Sequence, residues 1–171
     1  MLNVLTRLNN LSATISSALF VLIGLITLSS LTGFNDKPND SLIDITQLNV
    51  VNSYNKLNQF AFIRFDGDID TTTLFDNWNT KQVFLQLSTS YINDDTQSTT
   101  VFWDKIITNK DNHNLSLSNI KQKYSLKSKS FAHYDNTTLS LTYDIQPYVG
   151  LNKRGTLYTQ PIHFPDVKSN I

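Results

Sequence analysis

The stretch Leu139-Ser140-Leu141-Thr142-Tyr143-Asp144-Ile145 alternates apolar and polar side chains without interruption. A period of two is typical of a β strand that has one face in the core and one in solvent. Weaker strand patterns occur at residues 42–51, 60–65, 81–91 and 99–107. Turn clusters rich in Asp, Asn and Gly separate the runs, at 66–68, 93–95, 109–114 and 150–155. Since long helical patterns do not alternate with these strands, we predict an all-β fold, an antiparallel sandwich or barrel.

The segment between the second and third strand patterns, residues 71–79, is expected to form a short helix with Leu74, Phe75 and Trp78 on one side. The whole chain has 171 residues, which suits one domain of ordinary size and a small addition. It contains 14 basic and 14 acidic residues, and every acid is Asp. Zero net charge argues against a nucleic-acid partner, and the absence of cysteine excludes disulfides and thiolate metal sites.

A charge-free window precedes the strands, because the 28 residues from 8 to 35 carry no charged side chain. Residues 11–34 are apolar enough for a helix of roughly 36 Å, which exceeds the ~30 Å hydrocarbon core of a bilayer. This window could be a cleavable signal peptide with a cut near Ser29, Ser30 or Thr32, or an uncleaved signal anchor. The anchor is favoured. It divides the chain into a short N-terminus (1–10), a transmembrane signal-anchor helix (11–34) and a translocated β domain (35–171).

Charges beside the window predict its orientation. Arg7 precedes it, whereas Asp36, Lys37 and Asp40 together add one negative charge after it. The positive-inside rule therefore places the N-terminus in the cytosol and the β domain on the other side of the membrane.

Small residues line one side of the anchor. Ala13, Ser17 and Gly24 share a helical face, and small side chains let two helices approach closely in lipid. The face is a candidate for docking a partner helix, although small residues are also simply tolerated in a single span.

The densest local group of charges is Asp66-Gly67-Asp68-Ile69-Asp70. Alternating carboxylates can bind a divalent cation, but a calcium loop counted from Asp66 would need Gly at position six and Glu at position twelve. Those positions hold Thr71 and Asn77. The favoured interpretation is a turn in which Gly67 has a positive φ. A lumenal carbohydrate- or metal-binding module that uses Asp66, Asp68 and Asp70 remains the alternative function.

Catalytic patterns are weak throughout the sequence. The three histidines, His113, His133 and His163, are dispersed and lack metal-ligand spacing. The serines include no Gly-x-Ser-x-Gly elbow, and Ser88 or Ser90 with Lys81 would make a pair inside a strand-like run. We therefore predict no catalytic residues, no metal site and no cofactor.

Four Asn-x-Ser/Thr sequons occur, at Asn10, Asn39, Asn114 and Asn136. Asn10 lies on the cytosolic side of the span and Asn39 lies close to the membrane surface. Asn114 and Asn136 fall in predicted loops on the translocated side, so they are the candidate glycosylation sites.

Three segments in order resemble one family: residues 75–87 (Phe-Asp-Asn-Trp-Asn-Thr-Lys-Gln-Val-Phe-Leu-Gln-Leu), residues 101–107 (Val-Phe-Trp-Asp-Lys-Ile-Ile) and residues 164–166 (Phe-Pro-Asp). With the opening Asn-Val-Leu-Thr-Arg-Leu-Asn at residues 3–9 and further matches at 121–124 and 136–141, the chain resembles the signal peptidase complex subunit 3 family. Residues 150–157 and the loop before Asn136 follow the family only loosely.

The resemblance implies a single-pass type II protein of the endoplasmic reticulum (microsomal) membrane with a lumenal β sandwich. It implies a non-catalytic subunit that stabilises the catalytic subunit and joins the other subunits that remove signal peptides from proteins targeted to that compartment. The lipid bilayer is then a second partner. The resemblance also favours Asn136 over Asn114 for glycosylation. Trp78 and Trp103 are candidates for a partner surface, because aromatic side chains dominate interface energetics, although core packing is the alternative for both.

Overall fold

The computed structural model describes residues 3–32, 41–55, 57–93, 96–108, 111–131 and 137–165. The chain begins with one long helix and continues as β strands. The helix is α1 (Val4–Thr32), and a short 3-10 turn spans Thr72–Phe75. The strands within the described ranges are β1 (Leu42–Asn52), β2 (Gln59–Asp70), β3 (Thr80–Asn93), β4 (Thr96–Thr108), β5 (Asn114–Lys121), β6 (Leu126–Ser128), β7 (Thr137–Pro147) and β8 (Lys153–Ile162).

Helix α1 is long and apolar enough to cross a membrane by length and composition. Its 27 residues from Val4 to Ser30 include an 18-residue window of mean hydropathy 2.2. The helix starts before residue 11, because the Asn3 carbonyl accepts hydrogen bonds from the N–H groups of Thr6 and Arg7 and so nucleates the first turn. The boundaries of the membrane-embedded part stay a prediction, and the polar segment 33–40 lies outside the described residues.

The strands form two antiparallel sheets. In the first sheet β1, β2 and β5 are neighbours in that order, and β6 pairs with β2 beyond the end of β5. In the second sheet the order is β4-β3-β7-β8. An apolar N-terminal helix followed by an all-β domain confirms the predicted fold class.

The two sheets share one core, which makes the domain a sandwich. The ring of Phe65 from the first sheet meets Phe102 and Trp103 from the second edge-on, with centroids 6.2 and 5.5 Å apart. Strand β7 alternates buried and half-buried residues from Thr137 to Ile145, as its period of two predicts. The buried face packs into the core, and so this run decides on which side of the sheet the core lies.

Two predictions for the region around the end of β2 were wrong. Residues 66–68 are not a turn, since β2 continues to Asp70 and Gly67 lacks the positive φ expected of it. Gly67 instead follows a β-bulge, and a Cβ at this position would lie 2.9 Å from Ile43 Cδ1, so a neighbouring side chain occupies the space. The helix expected at 71–79 shrinks to the four-residue turn Thr72–Phe75 because β3 begins at Thr80.

The strands give the sandwich two distinct ends. One end, which we call the junction end, contains the C-terminus of β2, the start of β3, the β4–β5 loop and the β7–β8 loop. The other, the far end, contains the β1–β2 turn and the start of β7. The 12 residues of β2 separate the two ends by roughly 40 Å.

Candidate functional site: the helix–sandwich junction

The last turns of α1 touch the junction end of the sandwich. Most of the helix is exposed, but Ile26 and Thr27 are half-buried and Ser30 is only 3% exposed. The Asn77 side chain donates a hydrogen bond from Nδ2 to the Ser30 carbonyl at 3.0 Å. This contact satisfies a carbonyl in the last helical turn, where intrahelical partners run out.

A pair of buried asparagines carries that contact into the sandwich. Asn77 Oδ1 accepts a hydrogen bond from the Asn79 backbone N–H at 2.9 Å. The Asn79 side chain, which is fully buried, donates to the Val149 carbonyl at 2.6 Å and accepts from the Val149 N–H at 3.2 Å. The Asn79 carbonyl accepts from the Tyr148 N–H at 2.8 Å. One continuous network thus joins the helix end, the start of β3 and the β7–β8 loop.

The β7–β8 loop also meets the helix directly. Gly150 has φ +115°, which L side chains rarely adopt, and an added Cβ would lie 3.3 Å from the Thr27 methyl group. Only glycine permits both this backbone conformation and so close an approach to Thr27. None of Asn77, Asn79 and Gly150 was predicted to be a site residue, although Asn77 and Asn79 flank Trp78 inside the segment that carries the family resemblance.

Further contacts brace the same end. The Phe75 ring stacks on the His113 imidazole at 4.2 Å with a 7° interplanar angle. Thr71 donates from both its N–H and its hydroxyl to the His113 carbonyl, at 2.9 and 2.8 Å. Hydrogen bonds from the Thr108 N–H and then from the Thr108 hydroxyl lower the pKa of Asp111. The β4–β5 loop is therefore fixed to the turn that precedes Asn77.

The two tryptophans have opposite environments. Trp78 is 70% exposed and lies between Asn77 and Asn79 at the junction. Trp103 is 4% exposed and packs against Phe65 in the core. The prediction that Trp103 contributes to a partner surface is corrected by this position, because β4 turns its side chain toward the opposite sheet.

The small-residue face of α1 has no neighbour in the described structure. Ala13, Ser17 and Gly24 are exposed, and a Cβ at Gly24 would meet nothing within 4 Å. The Ser17 hydroxyl donates to the Thr14 carbonyl within the helix at 2.8 Å. Docking of a partner helix on this face stays a prediction.

The aspartates of β2 do not form a cation site with their described neighbours. Asp66, Asp68 and Asp70 alternate along the outward face of the strand, since the residues between them are buried. Asp66 accepts a hydrogen bond from the Asn119 N–H, and Asp70 accepts one from the Thr72 N–H at 2.9 Å. The described ranges contain no group of three His, Asp or Glu residues that could hold a metal ion.

The remaining candidates are dispersed. Ser88 is buried in β3, and the Ser90 hydroxyl pairs with the Thr99 hydroxyl at 2.9 Å, so neither is presented with a base. Asn114 was predicted to lie in a loop, but it is the first residue of β5, where it is exposed and pairs with Asp70 at the junction end. Asn136 lies outside the described residues, immediately before Thr137 at the far end.

Comparisons with known proteins agree on one family. A family model described as signal peptidase subunit matches residues 1–167. A protein of Debaryomyces hansenii named signal peptidase complex subunit 3 is 33% identical over 168 residues, which cover 88% of this chain and 86% of the relative. The proteins of that name from Yarrowia lipolytica and Saccharomyces cerevisiae are 41% and 39% identical over 99 and 92 residues. Those two matches cover 56% and 52% of this chain, and 52% and 50% of the relatives.

Proposed function

The chain belongs to the signal peptidase subunit family and is a subunit of the signal peptidase complex, and we propose that its role there is non-catalytic. In this proposal it stabilises and positions the catalytic subunit, which removes signal peptides from nascent proteins. Its described residues support such a role because they are built into strands and a junction rather than gathered around a cleft with a nucleophile and a base.

One observation carries the proposal, the hydrogen-bonded junction between α1 and the sandwich. A positioning subunit must transmit the location of its membrane anchor to its folded domain. The Asn77–Ser30 bond and the Gly150–Thr27 approach fix the two parts at separate points on one helical face. A flexible tether would supply an anchor without a defined orientation.

The proposed location is the endoplasmic reticulum membrane, with the N-terminus cytosolic and the sandwich lumenal. The apolar helix from Val4 to Ser30 and the position of Arg7 before its most apolar part support this orientation. Protease protection of an N-terminal and a C-terminal tag on microsomes tests it. A C-terminal tag that protease digests in sealed microsomes would contradict the proposal.

The role in the complex is tested by depletion and capture. Depleting the chain should leave secretory precursors uncleaved, and mild detergent capture of the full chain should recover the catalytic subunit. Normal precursor processing in depleted cells would contradict the proposed role. Recovery of the catalytic subunit without any processing defect would limit the chain to an accessory that the enzyme does not need.

Asn77→Ala tests the junction itself. The substitution removes the donor to the Ser30 carbonyl and the acceptor for the Asn79 N–H. We expect precursor cleavage to fall when this variant replaces the native chain, while the variant still inserts into the membrane. Asn55→Ala, an exposed asparagine in the far-end turn, is the matched control and should leave cleavage unchanged.

The small-residue face of α1 is proposed to contact a helix of another subunit. Gly24→Leu should then reduce recovery of the complex, since a large side chain prevents close helix approach. Ala18→Leu makes a comparable enlargement about 120° around the helix and should be tolerated. Equal recovery with both variants would remove this contact from the proposal.

We also propose that Asn136 carries the glycan. Thr137 follows it at the far end, roughly 40 Å from the junction, whereas Asn114 lies at the junction end close to the proposed membrane surface. Thr138→Ala should abolish the glycan-dependent mobility shift, and Ser116→Ala should leave it intact. The reverse result would assign the glycan to Asn114.

A further inference from the structure

Large apolar side chains are exposed around the point where α1 meets the sandwich. Trp78 is 70% exposed, Tyr148 is 64% exposed and Leu151 is 70% exposed. Each lies within one residue of a position in the junction network: Trp78 between Asn77 and Asn79, and the other two around Val149 and Gly150. We call Trp78, Tyr148 and Leu151 the junction-end apolar patch.

The helix sets the depth of this patch relative to a bilayer. Counted from Leu11, where the proposed span begins, the 20 residues to Ser30 cover roughly 30 Å, the thickness of the hydrocarbon core, and we therefore place the lumenal boundary of the core near Ser30. Asn77 binds the Ser30 carbonyl, and Gly150 approaches Thr27, almost one helical turn deeper. In this placement the residues beside Asn77 and Gly150 lie near the level of the lipid headgroups.

The chemistry of the patch suits that level. Trp and Tyr are enriched at membrane interfaces because their rings are amphipathic, and the transfer of a Leu side chain out of water is favourable. The charged residues within three positions of Trp78, Tyr148 or Leu151 are Asp76, Lys81, Lys153 and Arg154, and Arg154 pairs with Asp144. They sum to a small positive excess, which the phosphates of a zwitterionic headgroup layer can accommodate.

We propose that the junction-end apolar patch binds the headgroup–acyl boundary of the lumenal leaflet and so holds the sandwich against the bilayer. This inference rests on the proposed membrane span and adds a second lipid contact, outside the helix. The continuity of the patch with the helix end favours lipid over a protein partner, because in the proposed span the exposed side of the adjacent turn of α1 faces lipid.

The test uses Trp78 as the probe in the full chain reconstituted into phosphatidylcholine vesicles. The sequence has two tryptophans, so Trp103→Phe leaves Trp78 as the only one. Lipids with a nitroxide near the headgroup should quench most of its emission, whereas aqueous acrylamide should quench it weakly. Because Trp103 lies in the core, a second variant, Trp78→Phe with Trp103 retained, guards against misfolding and should lose the lipid-quenched component.

A matched control places tryptophan at the far end. Tyr54 is fully exposed in the β1–β2 turn, and Tyr54→Trp in a chain with Trp78→Phe and Trp103→Phe should escape nitroxide quenching. Phe20→Trp in the same background reports on the span and should be quenched by a nitroxide placed deep in the acyl chain.

The outcomes separate this inference from the proposed function. Quenching of Trp78 with none at Tyr54→Trp supports the patch as a lipid contact. Quenching at Phe20→Trp without quenching of Trp78 overturns the inference and leaves the span intact. Absence of nitroxide quenching at both Trp78 and Phe20→Trp overturns the proposed membrane span as well. Trp78 that is open to acrylamide in vesicles but shielded in the purified complex would assign the patch to a protein partner and overturn the lipid contact.

Discussion

Asparagines occupy both ends of the sandwich, but their burial and their hydrogen bonds differ between the two ends. At the junction end Asn77 and Asn79 are buried and make side-chain hydrogen bonds of 2.6–3.2 Å to Ser30, Val149 and each other. At the far end Asn52, the last residue of β1, and Asn55, in the β1–β2 turn, are exposed, and their side-chain bonds are 3.4 Å long. The same residue type is thus a structural connector at one end and a solvated turn residue at the other.

Burial explains why the two ends should respond differently to substitution. A buried amide that loses its partner has no water to replace it, whereas an exposed one is solvated at once. The composition alone does not distinguish these cases, because Asn is frequent along the whole chain. The junction is therefore expected to be the sensitive end and the far-end turn the tolerant one.

The largest effect is expected for Asn79→Ala. The change empties the fully buried site of the Asn79 amide and removes the partner of both the N–H and the carbonyl of half-buried Val149, which should lower the free energy of unfolding of the sandwich by about 3 kcal/mol. Urea unfolding of the full chain in detergent, followed by the β-sheet circular dichroism signal, measures it. Asn55→Ala at the far end should cost less than about 0.5 kcal/mol. Similar losses in the two variants would abolish the distinction between the ends.

Gly150→Ala should come next. A non-glycine residue at φ +115° is strained, and its Cβ would press on Thr27, so a loss of about 1–3 kcal/mol is expected in the same assay. Gly24→Ala has open space around its Cβ and should not destabilise the sandwich. If Gly150→Ala were as stable as the native chain, the approach of the loop to the helix would be looser than the structure shows.

A smaller effect concerns acid stability at the junction end. Hydrogen bonds from Thr108 lower the pKa of Asp111 in the folded protein. The ionised carboxylate therefore stabilises the fold above its unfolded pKa, near 4, and this stabilisation is lost as the pH falls through the folded pKa. Asp111→Asn should therefore flatten the acid limb of the stability curve. The measurement is the unfolding midpoint between neutral pH and acid, and an unchanged acid limb would contradict it.

The smallest effect concerns Tyr124, whose pKa is raised rather than lowered by the fold. A hydrogen bond to Asp104 raises the pKa of Tyr124, so its contribution is complete below the unfolded pKa, near 10, and is lost as pH rises through the folded pKa. Tyr124→Phe should therefore weaken the alkaline dependence of the unfolding midpoint. An unchanged alkaline limb would contradict this prediction.

Periodicity predicted the parts of the fold that the core dictates. Strands β1, β3, β4 and β7 were each anticipated within a few residues because their buried positions alternate or cluster. The strands missed were β5, β6 and β8. Strand β5 is interrupted by Asn119 at φ +52°, β6 has only three residues, and β8 carries Gly155 and Pro161. Gly and Pro are tolerated in β8 because it is an edge of its sheet.

The contacts of the junction could not be predicted from periodicity, and the reason is physical. Asn77 and Asn79 act on Ser30 and Val149, which are 47 and 70 residues away, and no local pattern encodes those contacts. Trp78 and Trp103 likewise could not be distinguished by residue type, since Trp103 is buried by the face that β4 turns toward the core, whereas Trp78 is exposed in the turn before β3. The resemblance of segment 75–87 to one family identified this region of the sequence, but it did not reveal the hydrogen bonds that Asn77 and Asn79 make.

Because α1 contacts the sandwich at both Thr27 and Ser30, the helix and the sandwich are expected to move as one rigid body. A transmembrane helix adjusts to bilayer thickness by tilting, commonly by about 20°. Because Thr27 and Ser30 are both held, that tilt is transmitted to the domain rather than absorbed in a hinge. Over the roughly 40 Å length of β2, a tilt of about 20° displaces the far end by roughly 14 Å. In the proposed membrane-spanning arrangement, the geometry would therefore convert local membrane thickness into the position of a surface far from the lipid.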